Sequence, residues 1–204
     1  MIRMGVQATG AQAFVATMRG TKPQLQLAMS RALRQEGQEL VRIIKTGLRA
    51  QAPGGDSIKP ISPITIALRG ARGKGSKPSS KALMDSGEMW RSVKLHVLHG
   101  GMSVFVGVHR NTMTKGGKSM ASIAEMQEFG TKSYKIPVTA KLRRWWMAMY
   151  IAGVFSAPLK DSTSVLNHKG ISPRPWLVPA YKVWSREAQD SFARRVAQQF
   201  PLFR

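Results

Sequence analysis

The chain has 204 residues, with 32 Lys and Arg against 10 Asp and Glu, a net charge of +22, 43% hydrophobic residues and no cysteine. That size fits one domain, or one domain with an arm, and its apolar content suffices for a core. The missing cysteine excludes disulfide scaffolds, Cys-ligated zinc and thiol catalysis and fits a reducing cytoplasm, while the charge speaks of partners (nucleic acid, an acidic protein surface or anionic lipid) and not of fold.

Met1 to Gly20 is weakly patterned around Val6, Phe14 and Val15, and no long apolar stretch opens the chain, so no secretory signal is expected. Thr21 is suited to cap a helix, and Pro23 fits its first turn, where a missing N–H costs nothing. From there to about Leu48 the spacing of Leu25, Met29, Ala32, Leu33, Leu40, Ile43, Ile44 and Leu48 predicts one long amphipathic helix. Arg31, Arg34, Gln38, Arg42 and Lys45 take its other side, and Pro53-Gly54-Gly55-Asp56 ends it. Ser62-Pro63 predicts a short helix to about Leu68. Gly70 to Ser80, rich in Gly, Lys, Ser and Pro, reads as a mobile loop.

Ala82 to Trp90 predicts a short turn or helix leading into a strand. Val93, Leu95 and Val97 alternate with Lys94 and His96, Gly100-Gly101 turns the chain, and Val104, Val106 and Val108 alternate on the return, so a hairpin is expected over 92–108. Asn111 to Met120 forms a second loop with glycine and lysine. Ser122 to Phe129 reads as a helix closed by Gly130, Ile136-Pro137 as a brief edge strand, and Thr139 as the cap of a helix to about Ala152. The uncharged run Trp145 to Leu159 falls short of the roughly 20 apolar residues of a membrane span and is interrupted by Gly153 and Pro158. It reads as a buried helix entering a loop or strand. After a loop at 156–170, the prolines of Ile171 to Leu177 impose an extended segment, and one amphipathic helix is expected from about Pro179 to Phe200 along Tyr181, Trp184, Phe192 and Val196. The order predicts an α+β fold: a small antiparallel sheet built around a β-hairpin, flanked by a long N-terminal helix and further helices, in a single domain over 1–204.

No catalytic grouping emerges. His96 and His99 have no carboxylate cluster near them in sequence, and the ten acids are too scattered to give the convergent ligands of a two-metal nuclease, although His109-Arg110-Asn111 is similar to a nuclease sequence. Gly70 to Lys77 lacks the preceding buried strand and following helix of a phosphate-binding loop, and no Gly-x-Ser-x-Gly elbow occurs. The expectation is therefore a protein without enzymatic activity, cofactor or metal.

Contact is the better theme. One acid-free interval, Asp56 to Asp85, holds Arg69, Arg72, Lys74, Lys77 and Lys81, and another, Glu88 to Glu125, holds Arg110, Lys115 and Lys118. These eight cations, on basic loops at about 69–81 and 110–120, are the candidate contacts to DNA or to an acidic protein, two readings that the residues leave open. Arg143, Arg144, Trp145 and Trp146 form a second candidate group. Adjacent helical residues diverge by about 100°, so one Trp is expected in the core and the other near the surface. Core packing is the plain reading of the pair, and a subunit-interface anchor the functional one. Arg174 and Trp176, on the proline-rich segment, invite the same argument: a rigid strand pinning a helix or a neighbouring subunit.

Five stretches taken together carry a resemblance: Pro60-Ile-Ser-Pro-Ile-Thr-Ile-Ala67, Lys81-Ala-Leu-Met-Asp-Ser-Gly87, Glu125-Met-Gln-Glu-Phe-Gly-Thr131, Lys135-Ile-Pro-Val-Thr139 and Ile171-Ser-Pro-Arg-Pro-Trp-Leu177. Over roughly residues 20 to 200, their order and spacing resemble the bacteriophage virion-morphogenesis, or tail-completion, family of long-tailed phages. No single stretch is specific; their joint occurrence is. The resemblance implies a structural virion protein at the head–tail junction, assembled as a ring, commonly of six, that completes the tail or neck. It implies neighbours in connector or neck proteins and in tail-tube or tail-terminator proteins, with DNA in the lumen, no membrane, and host cytoplasm as the place of assembly. It also implies a small sheet flanked by helices. Where the family's Arg-Pro-aromatic motif follows an alanine, this chain has Ser172-Pro173, which leaves the local conformation open. A non-specific DNA-binding protein of other origin is the alternative.

Overall fold

A computed structural model describes residues 22–72 and 80–199. The long helix α1 runs Lys22–Ala50 and buries the expected stripe, Leu25, Met29, Ala32, Leu33, Leu40, Ile44 and Leu48, leaving Ile43 half-buried. Removal of each large side chain of that stripe from water contributes roughly 2 kcal/mol, so α1 is the element around which the rest is packed. Thr21 and the Met1 to Gly20 stretch lie outside the described residues.

After a one-turn 3-10 reversal at Pro53–Gly55, α2 (Pro63–Arg72) is capped as expected, the Ser62 Oγ accepting the Thr65 N–H at 3.2 Å. It runs a turn beyond Leu68, so Gly70 to Arg72 are helical and not the start of a loop. Ala82 is clamped to the end of α1 by the Gln51 amide, which accepts its N–H at 2.6 Å and donates to its carbonyl at 3.0 Å. The one-turn helix α3 (Glu88–Ser92) follows, and then the expected hairpin, β1 (Val93–Leu98) and β2 (Ser103–Val108), with Val93 opposite Val108 and Leu95 opposite Val106. One face of the hairpin lies on α1.

Helix α4 (Met120–Phe129) begins earlier than expected, because Ser119 caps it by accepting the Ser122 N–H. Strand β3 (Tyr134–Pro137), helix α5 (Ala140–Ile151) and strand β4 (Val165–His168) form an excursion with its own two-stranded antiparallel sheet. The segment taken as a loop at 156–170 thus contains β4, which pairs register for register with β3, Ile136 opposite Leu166. The final helix is two helices, α6 (Val178–Ser185) and α7 (Ala188–Gln199), which meet at a break at Arg186-Glu187. The break has a cause: α6 packs on the second half of α1 and on the 53–55 turn, whereas α7 packs along α1 toward its N-terminal half, where Val196 and Phe192 join Leu25, Ala28 and Met29. One straight helix could not serve both. The architecture is α+β, with seven α-helices and two small antiparallel sheets among the described residues. No helix among them is long and apolar enough to cross a membrane.

Two buried carboxylates fix the packing. Glu36 on α1 is 4% exposed and receives the Trp184 Nε1–H at 3.2 Å, the Arg195 Nε–H at 2.6 Å and the Ser191 hydroxyl, so that α6 and α7 are tied to α1 by one group. Glu128 on α4 accepts the backbone N–H groups of Trp176, Leu177 and Val178 at 2.7, 3.0 and 3.0 Å. These are orphan donors at the start of α6, where a negative charge is favoured.

Two outcomes follow from this packing. Gln in place of Glu128 turns an N–H toward donors, and the expected loss is about 2–4 kcal/mol of unfolding free energy in urea titration. Ala in place of Gly47 normally favours a helix by about 1 kcal/mol. Here its Cβ would stand 2.7 Å from the Pro53 Cα, and a net loss of about 1–3 kcal/mol is expected by the same titration.

Candidate interaction surfaces

The eight cations expected to meet a partner divide sharply. Arg69 is nearly buried; it pairs with Asp85 at 3.3 Å and donates to the Lys81 carbonyl at 2.8 Å. Lys81 Nζ donates to the Arg49 carbonyl at the C-terminus of α1, where a cation is favoured by the helix dipole. Both make bonds that serve the fold. Arg110, Lys115 and Lys118 are exposed on the turn between β2 and α4, a compact loop closed by the Thr114–Lys118 and Met120–Thr112 backbone bonds. Arg72 ends α2; Lys74 and Lys77 lie outside the described residues.

The proline-rich segment is likewise internal. Trp176 is 2% exposed, and its Nε1–H donates to the Ala124 carbonyl at 3.3 Å. Arg174 reaches the Lys59 and Pro60 carbonyls at 3.0 and 3.3 Å, while its own N–H meets the Gln127 carbonyl at 2.6 Å. These two residues pin α4 and the chain before α2. The departure at Ser172-Pro173 leaves the segment irregular in backbone and still anchored at both ends.

The expectation is corrected at α5. The expected buried helix has no buried residue, and from Thr131 to Gly170 no residue of the excursion is buried. Neither tryptophan enters the core. Trp146 stacks on Phe155 at 4.3 Å between ring centroids, Trp145 meets the same ring edge-on at 5.7 Å, and Trp145 remains 38% exposed. Arg143 braces the arm from within, donating to the carbonyls of Lys160, Asp161 and Thr163. On the opposite side of α5, Ala140, Arg144, Met147 and Ile151 form an exposed stripe at i, i+4, i+7 and i+11, with Ile151 78% exposed. Tyr134, Tyr150 and Val165 add exposed apolar surface to the same arm.

The arm is rooted at a narrow joint. The Thr131 N–H meets the Ile171 carbonyl at 3.0 Å and the Ile171 N–H meets the Thr131 hydroxyl at 2.8 Å. Gly130 and Gly170 sit at positive φ, and a Cβ on Gly170 would lie 2.2 Å from the Thr131 carbonyl oxygen, so only glycine permits the two chains to approach. The arm carries seven Lys and Arg against one acid, Asp161.

Beside the root lies a groove of about 330 Å³. Four consecutive residues, Phe105 to Val108, line it, so it follows the outer edge of β2, which has no strand partner on that side among the described residues. Helix α4 forms the other wall, with Phe129 at 57% exposure, and Trp176 and Leu177 form the floor; Glu125 and Arg110 stand on the rim.

On the exposed side of the hairpin, the His96 ring meets those of Phe105 and His109 at a tilt, with centroids 6.0 and 5.0 Å away. Its Nε2 is buried and has no hydrogen-bond partner among the described residues. Burial, and then the charges of His109 and Lys94, hold its pKa below the usual 6.5. Among the described residues no group of three or more His, Cys, Asp or Glu stands close enough to hold a metal ion. No family model, no curated protein and no solved structure matches this chain.

The depressed histidine has a testable sign. The unfolded chain takes up this proton first, so stability present above pH 6.5 is lost as pH falls from that value toward the lower folded pKa. Thermal melts across that window should show a declining midpoint, and His96→Gln should flatten the decline; an unchanged slope would exclude His96 as its source.

Proposed function

We propose that this chain is a non-enzymatic structural protein of a phage virion, one subunit of a ring, of six copies, that completes the tail or neck at the head–tail junction. The observation that carries the reading is where the resembling stretches meet. Pro60, which opens the first stretch, and Lys59 just before it are held by Arg174 of the last; Glu128 of the third caps the helix after Trp176; Thr131 is bonded to Ile171. Residues that look unrelated in the sequence form one connected frame, and that frame holds out an arm with no buried residue. A frame presenting an unburied arm with exposed Met147, Tyr150 and Ile151 supports assembly as the task of the molecule.

Charge constrains the assembly. Six copies at +22 each repel one another, and only neutralisation by an acidic neighbouring ring, or by DNA in the lumen, offsets this at low salt. The exposed Arg110, Lys115 and Lys118 are the cations placed for such a contact.

The expected outcome is a ring of this chain in a cryo-EM reconstruction of the intact neck, and a monomer for the isolated protein at low ionic strength. Stable hexamers of the isolated chain at about 50 mM salt would refute the neutralisation requirement. Tight duplex binding by the monomer in a filter assay, with a steep loss on adding salt, would favour a non-specific DNA-binding protein instead. Cleavage of that duplex on adding Mg²⁺ would refute a non-enzymatic role.

A further inference from the structure

We infer that the β3–β4 ribbon of the arm is a binding surface for single-stranded nucleic acid, its exposed ring pair stacking on a base and its lysines meeting the flanking phosphates. The inference does not rest on the ring reading. Its first support is where unpaired charge collects. Thr131 to Gly170 carries a net +6 of the chain's +22. Six of its cations, Lys132, Lys135, Lys141, Arg144, Lys160 and Lys169, are exposed and form no ion pair or side-chain hydrogen bond among the described residues. In the body, by contrast, Arg42, Arg69 and Arg195 meet the carboxylates of Glu39, Asp85 and Glu36. An unneutralised set of cations on one arm is complementary to a polyanion.

The second support is a flat surface among those cations. Tyr134 and His168 are cross-strand partners whose rings stack with centroids 4.7 Å apart and planes 26° from parallel, and Tyr134 is 47% exposed. The Gly170 N–H donates to the His168 Nδ1 at 3.0 Å, which holds the imidazole beside the root of the arm. Lys132, Lys135 and Lys169 all lie within two residues of this pair along the chain, and no acid occurs from Thr131 to Pro137 or from Ser162 to Gly170. The ribbon is also uncovered: no residue of β3 or β4 is buried. Two strands alone are marginal in water, so an occupant lying along them supplies cover that the core does not.

The rings decide the class of polyanion. Lysine alone suffices for an acidic protein or an anionic headgroup, whereas an exposed aromatic face among cations is what unpaired bases stack on, with little regard to sequence. In a duplex the bases stack on one another, so Tyr134 adds to binding only where the strand is single.

Fluorescence anisotropy of a labelled oligothymidylate of about 16 nucleotides, titrated with the full chain, is the test. At about 50 mM salt it should bind about tenfold more tightly than a duplex of the same length, and lose affinity steeply as salt is added. Tyr134→Ala should weaken binding about tenfold and leave the salt slope unchanged, since a stacked base and no phosphate contact is lost, and Tyr134→Phe should retain wild-type affinity. Lys135→Glu/Lys169→Glu should weaken binding and flatten the slope, both by more than Arg31→Glu/Arg34→Glu, an equal change of charge at exposed positions on α1. Amide exchange in β3 and β4 should slow when the oligonucleotide is added. The lysine variant and the exchange measurement read the site on an intact ribbon, whatever Tyr134→Ala does to its stability. Duplex binding as tight as single-strand binding, wild-type affinity in Tyr134→Ala, equal losses in the two charge variants, or unchanged exchange in both strands would overturn the proposal. So would polyglutamate that competes as well as unlabelled oligothymidylate, which would make the arm a site for acidic protein. Phosphatidylglycerol vesicles that hold the arm against excess oligonucleotide would overturn it in favour of a lipid surface.

Discussion

The carboxylate of Glu128, folded under α4 and receiving three consecutive backbone N–H groups, is the constraint on which the outer half of this molecule depends. A buried carboxylate with no partners would be strongly disfavoured, and among the described residues no cation forms an ion pair with it. Three oriented amide dipoles at the start of a helix compensate it instead, in the manner of a bound anion. Because those amides belong to Trp176, Leu177 and Val178, the same bonds bring the proline-rich segment against α4. With that segment in place, Ile171 lies beside Thr131, and the chain can leave the body at Gly130 and return at Gly170. The arm is thus not a loop that happens to protrude; its root is built by packing in the core.

Glu36 performs the corresponding task on the other side of α1. It collects a Trp, a Ser and an Arg from two helices that approach α1 at different points along its length. Charge-assisted bonds of this sort are directional, so the group specifies where α6 and α7 lie in a way that apolar contact alone does not. The cation–π contacts of Lys45 and Arg49 with Trp90, at 4.9 and 4.5 Å, add a third tie between α1 and the helix that launches the hairpin. Several of the chain's many cations are thereby committed to the fold. A basic composition is an unreliable map of a basic binding surface, and Arg69 and Lys81 illustrate why.

Periodicity made α1 and the β1–β2 hairpin legible, since in both one face meets the core and the other meets solvent. Caps were legible too: Ser62 and Thr139 each bond the amide three residues on. What composition could not reveal was which chain covers an apolar residue. Trp176 and Trp145 look equally suited to a core or an interface, yet one is buried against α4 and the other sits on an arm with no core. The difference lies in Glu128, nearly fifty residues from its partners, which left no local signal. Strand β4 was hidden for a related reason. Val165 to His168 pairs with β3 but packs on little, so the alternation that a buried face imposes is missing. The break between α6 and α7 came from tertiary packing onto α1, which no helical pattern along the segment marks.

An apolar arm on a strongly basic chain sets two forces of different range against each other. Over tens of ångströms, two copies feel only their net charge and repel; within a few ångströms, Met147 and Ile151 gain by leaving water. On the proposed reading, such a subunit resists association until something reduces its charge. On the same reading, an acidic neighbouring ring or a length of DNA provides that reduction at one place only. On this reading the positive charge and the unburied helix are parts of one device: the first delays assembly, and the second completes it once the charge has been met.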